Sequence, residues 1–372
     1  MKLKKICIQG YKSIDTKPGQ TIQLGDVTVL LGANGSGKSN LVSFFKMLNY
    51  MTTGALQQYI GKQGASRLLY YGPKKSESVS FTLEFESDTA HDTYEVELSH
   101  GLTERLYISH EKITYHKISP PSPQPLEYYL DAGGSESGLG KDDRQTSKII
   151  YGLLSHIRTY QFHDTSDTAK IKDRGYVDDA RYLRSDAGNL AAFLKMLKDH
   201  DKFRKYYNRI VRHIQQVMPQ FGDFDLDPVP GNKDYVRLNW KDSAQSNYIF
   251  DPDQISDGSL RFMALATLLL QPPELLPKVI ILDEPELGLH PAAIAELAGI
   301  VRSAAQKTQV LLATQSTRLV DEFFPENLVV VERDNERHCS VFRKLDTEAL
   351  KDWLCRYSLS ELWEKNVLGG QP

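Results

Sequence analysis

The sequence predicts an α/β fold built on a parallel sheet, and three observations predict it. A glycine-rich stretch, Gly32-Ala33-Asn34-Gly35-Ser36-Gly37-Lys38-Ser39, stands between an apolar run and a helix-periodic segment. From Val279 onward, short apolar strands alternate with helical segments. Between about 77 and 117, apolar and polar residues alternate with period two. A glycine loop between strand and helix, and strands spaced by helices, mark β-α-β units. The period of two belongs to half-buried strands.

In chain order, residues 3–9 and 21–31 read as strands, the second running straight into the glycine loop, and a helix follows to about Tyr50. The alternation Val79, Phe81, Leu83, Phe85, then Tyr94, Val96, Leu98, then Leu106, Ile108, Ile113, Tyr115, predicts an antiparallel meander. SPPSPQP (119–125) and DAGGSESGLGKDD (131–143) read as mobile surface loops open to chain nicking. Helical periodicity covers 186–218, VRLNW (236–240) reads as a strand, and an apolar helix follows to Leu270. VIILDE (279–284), a helix from Pro291, QVLLAT (309–314), a further helix and NLVVVE (327–332) complete the parallel pattern. Neither an internal repeat nor a sustained heptad is present, so a long coiled coil is not expected.

Composition excludes several classes. The 372 residues carry 45 Lys+Arg against 48 Asp+Glu and are 40% hydrophobic, which fits neither a disordered nor a collagen-like chain. Cys7, Cys339 and Cys355 are odd in number and far apart, suggesting neither a disulfide framework nor a zinc site, and a reducing, cytoplasmic setting is expected. The longest apolar run, Phe262–Leu270, is too short to cross a bilayer, and the N-terminal apolar stretch is too short for a secretory signal. A formal net charge of −3 argues against a surface built throughout for nucleic acid.

Gly32–Ser39 matches GxxxxGK[ST]. In such a loop the glycines let backbone N–H groups converge on phosphates, the lysine neutralises them, and the hydroxyl residue supplies an oxygen to Mg²⁺. Asn34, Gly35, Ser36, Gly37, Lys38 and Ser39, with Asn40 in the next position, are therefore the nucleotide-binding candidates, and Ser39 is also a metal ligand candidate. At the end of VIILD, Asp283 is placed to hold Mg²⁺ and Glu284 to polarise an attacking water. Ser256-Asp257-Gly258 stands 27 residues before Asp283 and opens a helix, so a hydroxyl, a glycine N–H and a helix N-terminus form a second anion site there. In the helical stretch 199–216, Lys205, Arg209 and Arg212 share one face, which offers either a contact to nucleic acid or an acidic partner, or an ordinary solvated surface.

The set GANGSGKSNL, ISDGSLRFMALATLLL, VIILDEPELGLHP and LLATQS resembles the RecF/SMC/OLD branch of the ABC-type ATPases, and more closely the bacterial stand-alone AAA-type ATPases of that branch. The likeness covers about 1–50 and 250–332, and YSLSELWEKNVLGGQP is similar to the closing segments of that group. It implies one P-loop NTPase head: 1–60 and 271–345 as nucleotide-binding core, 61–185 as meander and loop insertion, 186–270 as helical signature lobe, and 346–372 as a family-specific segment. It also implies ATP and Mg²⁺ as cofactors and a homodimer or higher oligomer sandwiching ATP, with Ser256 and Gly258 acting across it. Gln161 is the implied Mg²⁺-sensing glutamine, with His163 the competing choice, and Lys12 a residue that touches nucleotide. Where the family carries a switch histidine this chain has Gln315, which donates a hydrogen bond but carries no proton charge, so slow hydrolysis is expected. His290, where many transporter heads have aspartate, reads as a helix-start residue.

The resemblance thus implies an ATP-driven switch for a separately encoded, nuclease-like effector in anti-phage defence. RecF-like DNA repair, with direct DNA contact, and an ATP-binding scaffold without turnover are the alternatives. A transporter ATPase subunit is disfavoured by the meander insertion, by DEPELGLHP and by segment 346–372.

Overall fold

The computed structural model describes residues 1–101, 104–119, 124–130, 133–229, 231–244 and 248–371. They fall into two compact units, Met1–Arg158 with Phe324–Pro372, and Thr159–Phe323.

In the first unit, six strands form an antiparallel sheet in the order Gln20–Gln23, Lys2–Gln9, Ser78–Glu86, Ala90–His100, Leu106–Lys117, Leu126–Tyr129. The period-two pattern sets its faces: Val79, Phe81, Leu83 and Phe85 are all buried. Helix Lys38–Thr52 lies against this sheet, with Phe44 meeting Phe81 and Tyr11 edge-on at ring-centroid distances of 5.2 and 5.7 Å. A separate strand group carries the loop. Val27–Leu31, buried at every position, pairs parallel with Leu328–Asp334, which pairs antiparallel with Cys339–Lys344.

The expected strand 21–31 is two strands. Gln20–Gln23 joins the antiparallel sheet, and Val27–Leu31 joins the other group. Between them the chain turns at Gly25, whose N–H donates to Thr28 Oγ1 at 3.0 Å. A turn this short leaves no signature in an apolar run. Of the two expected loops, residues 120–123 and 131–132 lie outside the described residues.

In the second unit, Val279–Asp283 pairs parallel with Gln309–Thr314, both buried throughout, and helix Pro291–Ala304 connects them. Helices Leu190–Asp199, Arg204–Val217 and Asp257–Leu270 pack as a lobe. The periodicity expected over 186–218 is interrupted: His200 adopts an extended backbone, and Phe203 and Arg204 N–H groups both turn back to its carbonyl. The strand expected over 236–240 also divides. Tyr235–Val236 pairs with Gly175–Tyr176, whereas Asn239–Asp242 pairs with Phe221–Asp225 and Ile249–Phe250. Arg237 holds the break, reaching Lys172 O, Asp251 and Asp253 at 2.8–3.2 Å. Among the described residues no helix is long and apolar enough to cross a membrane, and the longest has 15 residues, too short for an extended coiled coil.

Candidate functional site

The candidate residues form two groups, one in each unit. In the first, buried strand Val27–Leu31 delivers the chain to the glycine loop, and helix Lys38–Thr52 starts directly after it. Gly37 sits at φ 118°, and a Cβ there would overlap the Ser340 hydroxyl, so both conformation and crowding require glycine. Having no side chain, Gly37 cannot cap the helix, and the first-turn N–H groups receive no side-chain cap. Lys38 is buried, and its Nζ donates to the carbonyls of Gly32 at 2.6 Å and Ala33 at 2.9 Å. Asn34, Gly35 and Ser39 are exposed, whereas the Ser36 Oγ is buried with no hydrogen-bond partner.

Residues that sequence reasoning missed brace this loop from behind. Ser340, fully buried, donates its hydroxyl to Ser36 O at 2.5 Å, and its Oγ lies 2.7 Å from the Ser13 hydroxyl. Asn40 Nδ2 donates to the same Ser13 Oγ at 2.6 Å. Ser340 lies 304 positions from Ser36, so no local motif reveals it. Lys12 is left-handed at φ 50° and lines a groove of about 360 Å³ with Ser13, Asn40, Arg67, Tyr71, Arg333 and His338. Burial, then the nearby Lys46, lowers its pKa.

In the second unit, the expected carboxylates end strand Val279–Asp283. Gln161, one residue past strand Ile157–Tyr160, donates from Nε2 to Asp283 Oδ2 at 2.6 Å. His163 Nε2 stands 2.9 Å from the Asp283 carbonyl, so this ring holds the backbone rather than the carboxylate. Glu284 is left-handed at φ 45°, a conformation costing about 1–2 kcal/mol in a non-glycine residue. Its N–H donates to Ala313 O at 2.8 Å, and Gln315 Nε2 donates to its Oε1 at 3.3 Å. Glu286 is buried, accepts from the Thr314 hydroxyl, and leaves Oε2 unpartnered; burial raises its pKa.

Arg261 is the largest omission of the sequence reading. Its guanidinium donates to Phe162 O at 3.1 Å, His163 O at 2.9 Å, Leu287 O at 2.9 Å and Thr165 Oγ1 at 3.2 Å. It joins the segment after Gln161 to the segment after Glu284. The only hint was its place at the start of the helix opened by Ser256. Ser256 is an exposed N-cap whose Oγ accepts from Ser259 N at 3.2 Å. Gly258 faces the Gly288 carbonyl so closely that a Cβ would overlap it.

Two remaining candidates find ordinary partners. His290 caps helix Pro291–Ala304, its Nδ1 accepting from Ala292 N at 3.3 Å. On helix Arg204–Val217, Arg209 donates to Ser303 Oγ at 2.9 Å and Lys205 Nζ lies 5.1 Å from the Tyr206 ring centroid, while Arg212 is exposed.

Residues 27–321 match the family described as "AAA domain, putative AbiEii toxin, Type IV TA system". The match spans most of the chain, which belongs to that family. No curated protein matches it in sequence. In fold it is similar to an SMC head bound to the C-winged helix domain of ScpA, at 14% identity and TM-score 0.56, covering 95% of this chain and all of that one. It is equally similar to the Smc head domain with an extended coiled coil, bound to the C-terminal domain of ScpA derived from Pyrococcus furiosus, at 14% identity and TM-score 0.57, covering 95% and 98%. The α/β head fold expected from the sequence, with parallel and antiparallel sheets, is thus the fold.

Proposed function

We propose that this AAA-domain family member binds ATP with Mg²⁺, hydrolyses it slowly, and uses the nucleotide to pair with a second copy of itself and so switch a partner effector. The observation that carries the reading is the glycine loop: an uncapped helix N-terminus, a buried lysine held at the loop carbonyls, and a buried serine hydroxyl with no partner. These donors fit phosphate oxygens. Lys38 neutralises the β- and γ-phosphates, and Asn34–Asn40 supply the cradle. Ser39, Asp283 and Gln161 are the residues that would hold Mg²⁺, an ion that takes oxygen ligands and fills its remaining positions with phosphate and water. When bound, that ion neutralises charge on the transferring phosphoryl group.

Glu284 accepts a proton from water, and Gln315 holds the carboxylate by its amide N–H. An amide cannot take up charge during the reaction, so turnover is slow. That both groups serve one nucleotide is the reading of the paired sequence motifs. Exposed Ser256 and half-buried Gly258, at a helix N-terminus, cap the nucleotide of a second copy.

The family description names a toxin system, and the two similar SMC heads are named with a bound protein domain; both support a head that acts on a protein partner, which we place in anti-phage defence. The test is calorimetry with Mg-ATP combined with light scattering and phosphate release. ATP is expected to bind and to double the mass, while ADP leaves a monomer. Absence of ATP binding sinks the reading; binding without any phosphate release replaces the enzyme with an ATP-binding scaffold.

A further inference from the structure

The segment 358–371 seats on the phosphate loop. Helix Leu359–Glu364 is locked at its start: Ser358 Oγ accepts from Glu361 N at 3.2 Å, and Glu361 Oε2 accepts from Ser358 N at 2.9 Å. Leu362 and Leu368 are fully buried and Trp363 nearly so. The chain then turns through Gly369 and Gly370, at φ 75° and 81°. A Cβ on Gly370 would stand 2.7 Å from Val330 Cγ1, and one on Gly369 2.7 Å from Glu332 Oε2. Only glycine fits either position. Gly370 N donates to Glu332 Oε2 at 3.2 Å, and Gln371 Nε2 to Trp363 O at 2.9 Å. So held, the Gly370 carbonyl accepts from Ala33 N at 3.0 Å. Ala33 is the second residue of the loop, and its own carbonyl holds Lys38 Nζ.

We propose that segment 358–371 is a positioning element for the phosphate loop: the Gly370 carbonyl, through Ala33 N–H, pins the backbone whose carbonyls seat the Lys38 ammonium. This rests on the nucleotide reading of the loop given above. A loop containing left-handed Gly35 and Gly37 has conformational freedom to lose when phosphates bind. Pinning its entry removes part of that loss beforehand, so the segment acts on affinity. Its hydrogen bond is to the loop backbone, so its effect falls on ATP affinity rather than on the chemical step.

The test uses the full chain with Gly370→Ala and, separately, Leu368→Ala. Hydrogen exchange over residues 28–41 is measured without nucleotide, followed by Mg-ATP calorimetry and steady-state kinetics. Both variants should exchange faster at 32–38 and bind ATP about tenfold more weakly, with KM raised by the same factor and kcat at saturation within about twofold. General destabilisation gives the opposite split, a smaller active fraction with KM unchanged. If Leu368→Ala does not fold, Gly370→Ala alone decides. Parent-like exchange, or ATP affinity within twofold of the parent, overturns the inference while the nucleotide reading stands. Failure of the parent itself to bind ATP sinks that reading, and the exchange measurement then decides whether the segment holds the loop at all.

Discussion

The phosphate loop and the carboxylate group solve opposite electrostatic problems. The loop offers positive potential, and it does so with backbone: eight contiguous residues, two left-handed glycines and one lysine tied to carbonyls. The carboxylate group carries negative charge into a buried strand end, where each acid needs partners brought from elsewhere. Gln161 reaches Asp283, Gln315 reaches Glu284, Thr314 reaches Glu286, and Arg261 binds the flanking carbonyls together. Backbone donors can be arranged by a local sequence. Buried carboxylates require a tertiary assembly, so damage to either group should read out differently.

The largest effect is expected at Lys38. Lys38→Ala removes the loop's one fixed charge and should weaken ATP binding by at least about 100-fold by calorimetry; unchanged affinity would break the loop side of the contrast outright. Glu284→Gln keeps shape and hydrogen bonding but not basicity. It should leave ATP affinity within a few-fold, lower phosphate release by about 100-fold or more, and accumulate an ATP-bound dimer in light scattering. A persistent monomer would count against a site shared between copies.

Arg261→Ala tests the assembly itself. Loss of its hydrogen bonds to three carbonyls should cost about 2–3 kcal/mol in denaturant unfolding and lower turnover about tenfold with ATP affinity nearly retained. If affinity collapsed with turnover, the two groups would not be separable as described.

The smallest effect concerns pH and serves as a control on the first unit. Asp92, buried in the meander with Oδ1 unpartnered, has its pKa pushed up to about 6 by burial, offset in part by His91. The folded protein therefore prefers the protonated acid. The penalty is absent below the unfolded value near 3.8, grows between there and 6, and is complete above 6. Asp92→Asn should stabilise the protein by on the order of 2 kcal/mol at pH 8 and not at all near pH 3.5, as read by melting at each pH. ATP affinity should not follow this titration, since the loop uses none of these groups.

Legibility in the sequence follows the same division. The strand–glycine loop–helix unit, the meander and the alternation after Val279 were readable because each is encoded by neighbours at fixed spacing. Gln161 was readable only through family resemblance, and its partner came from the fold. Arg261, Ser340 and Ser13 were not readable, because each acts through side-chain contacts to segments far away in the chain. The break at Gly25 and the division at Arg237 were missed for a related reason: periodicity reports burial, and both halves of each run are buried on some sheet, though not the same one.

By itself the sequence determined the α/β class, the phosphate loop and the acidic strand end, since backbone propensity, hydrophobic period and glycine placement act over a few residues. Tertiary structure alone decided which side chains hold the acids, what braces the loop, and that Gly370 meets Ala33 across more than 300 residues of chain. A buried polar group must be satisfied by whatever the fold brings within hydrogen-bonding reach, and no local pattern specifies that partner.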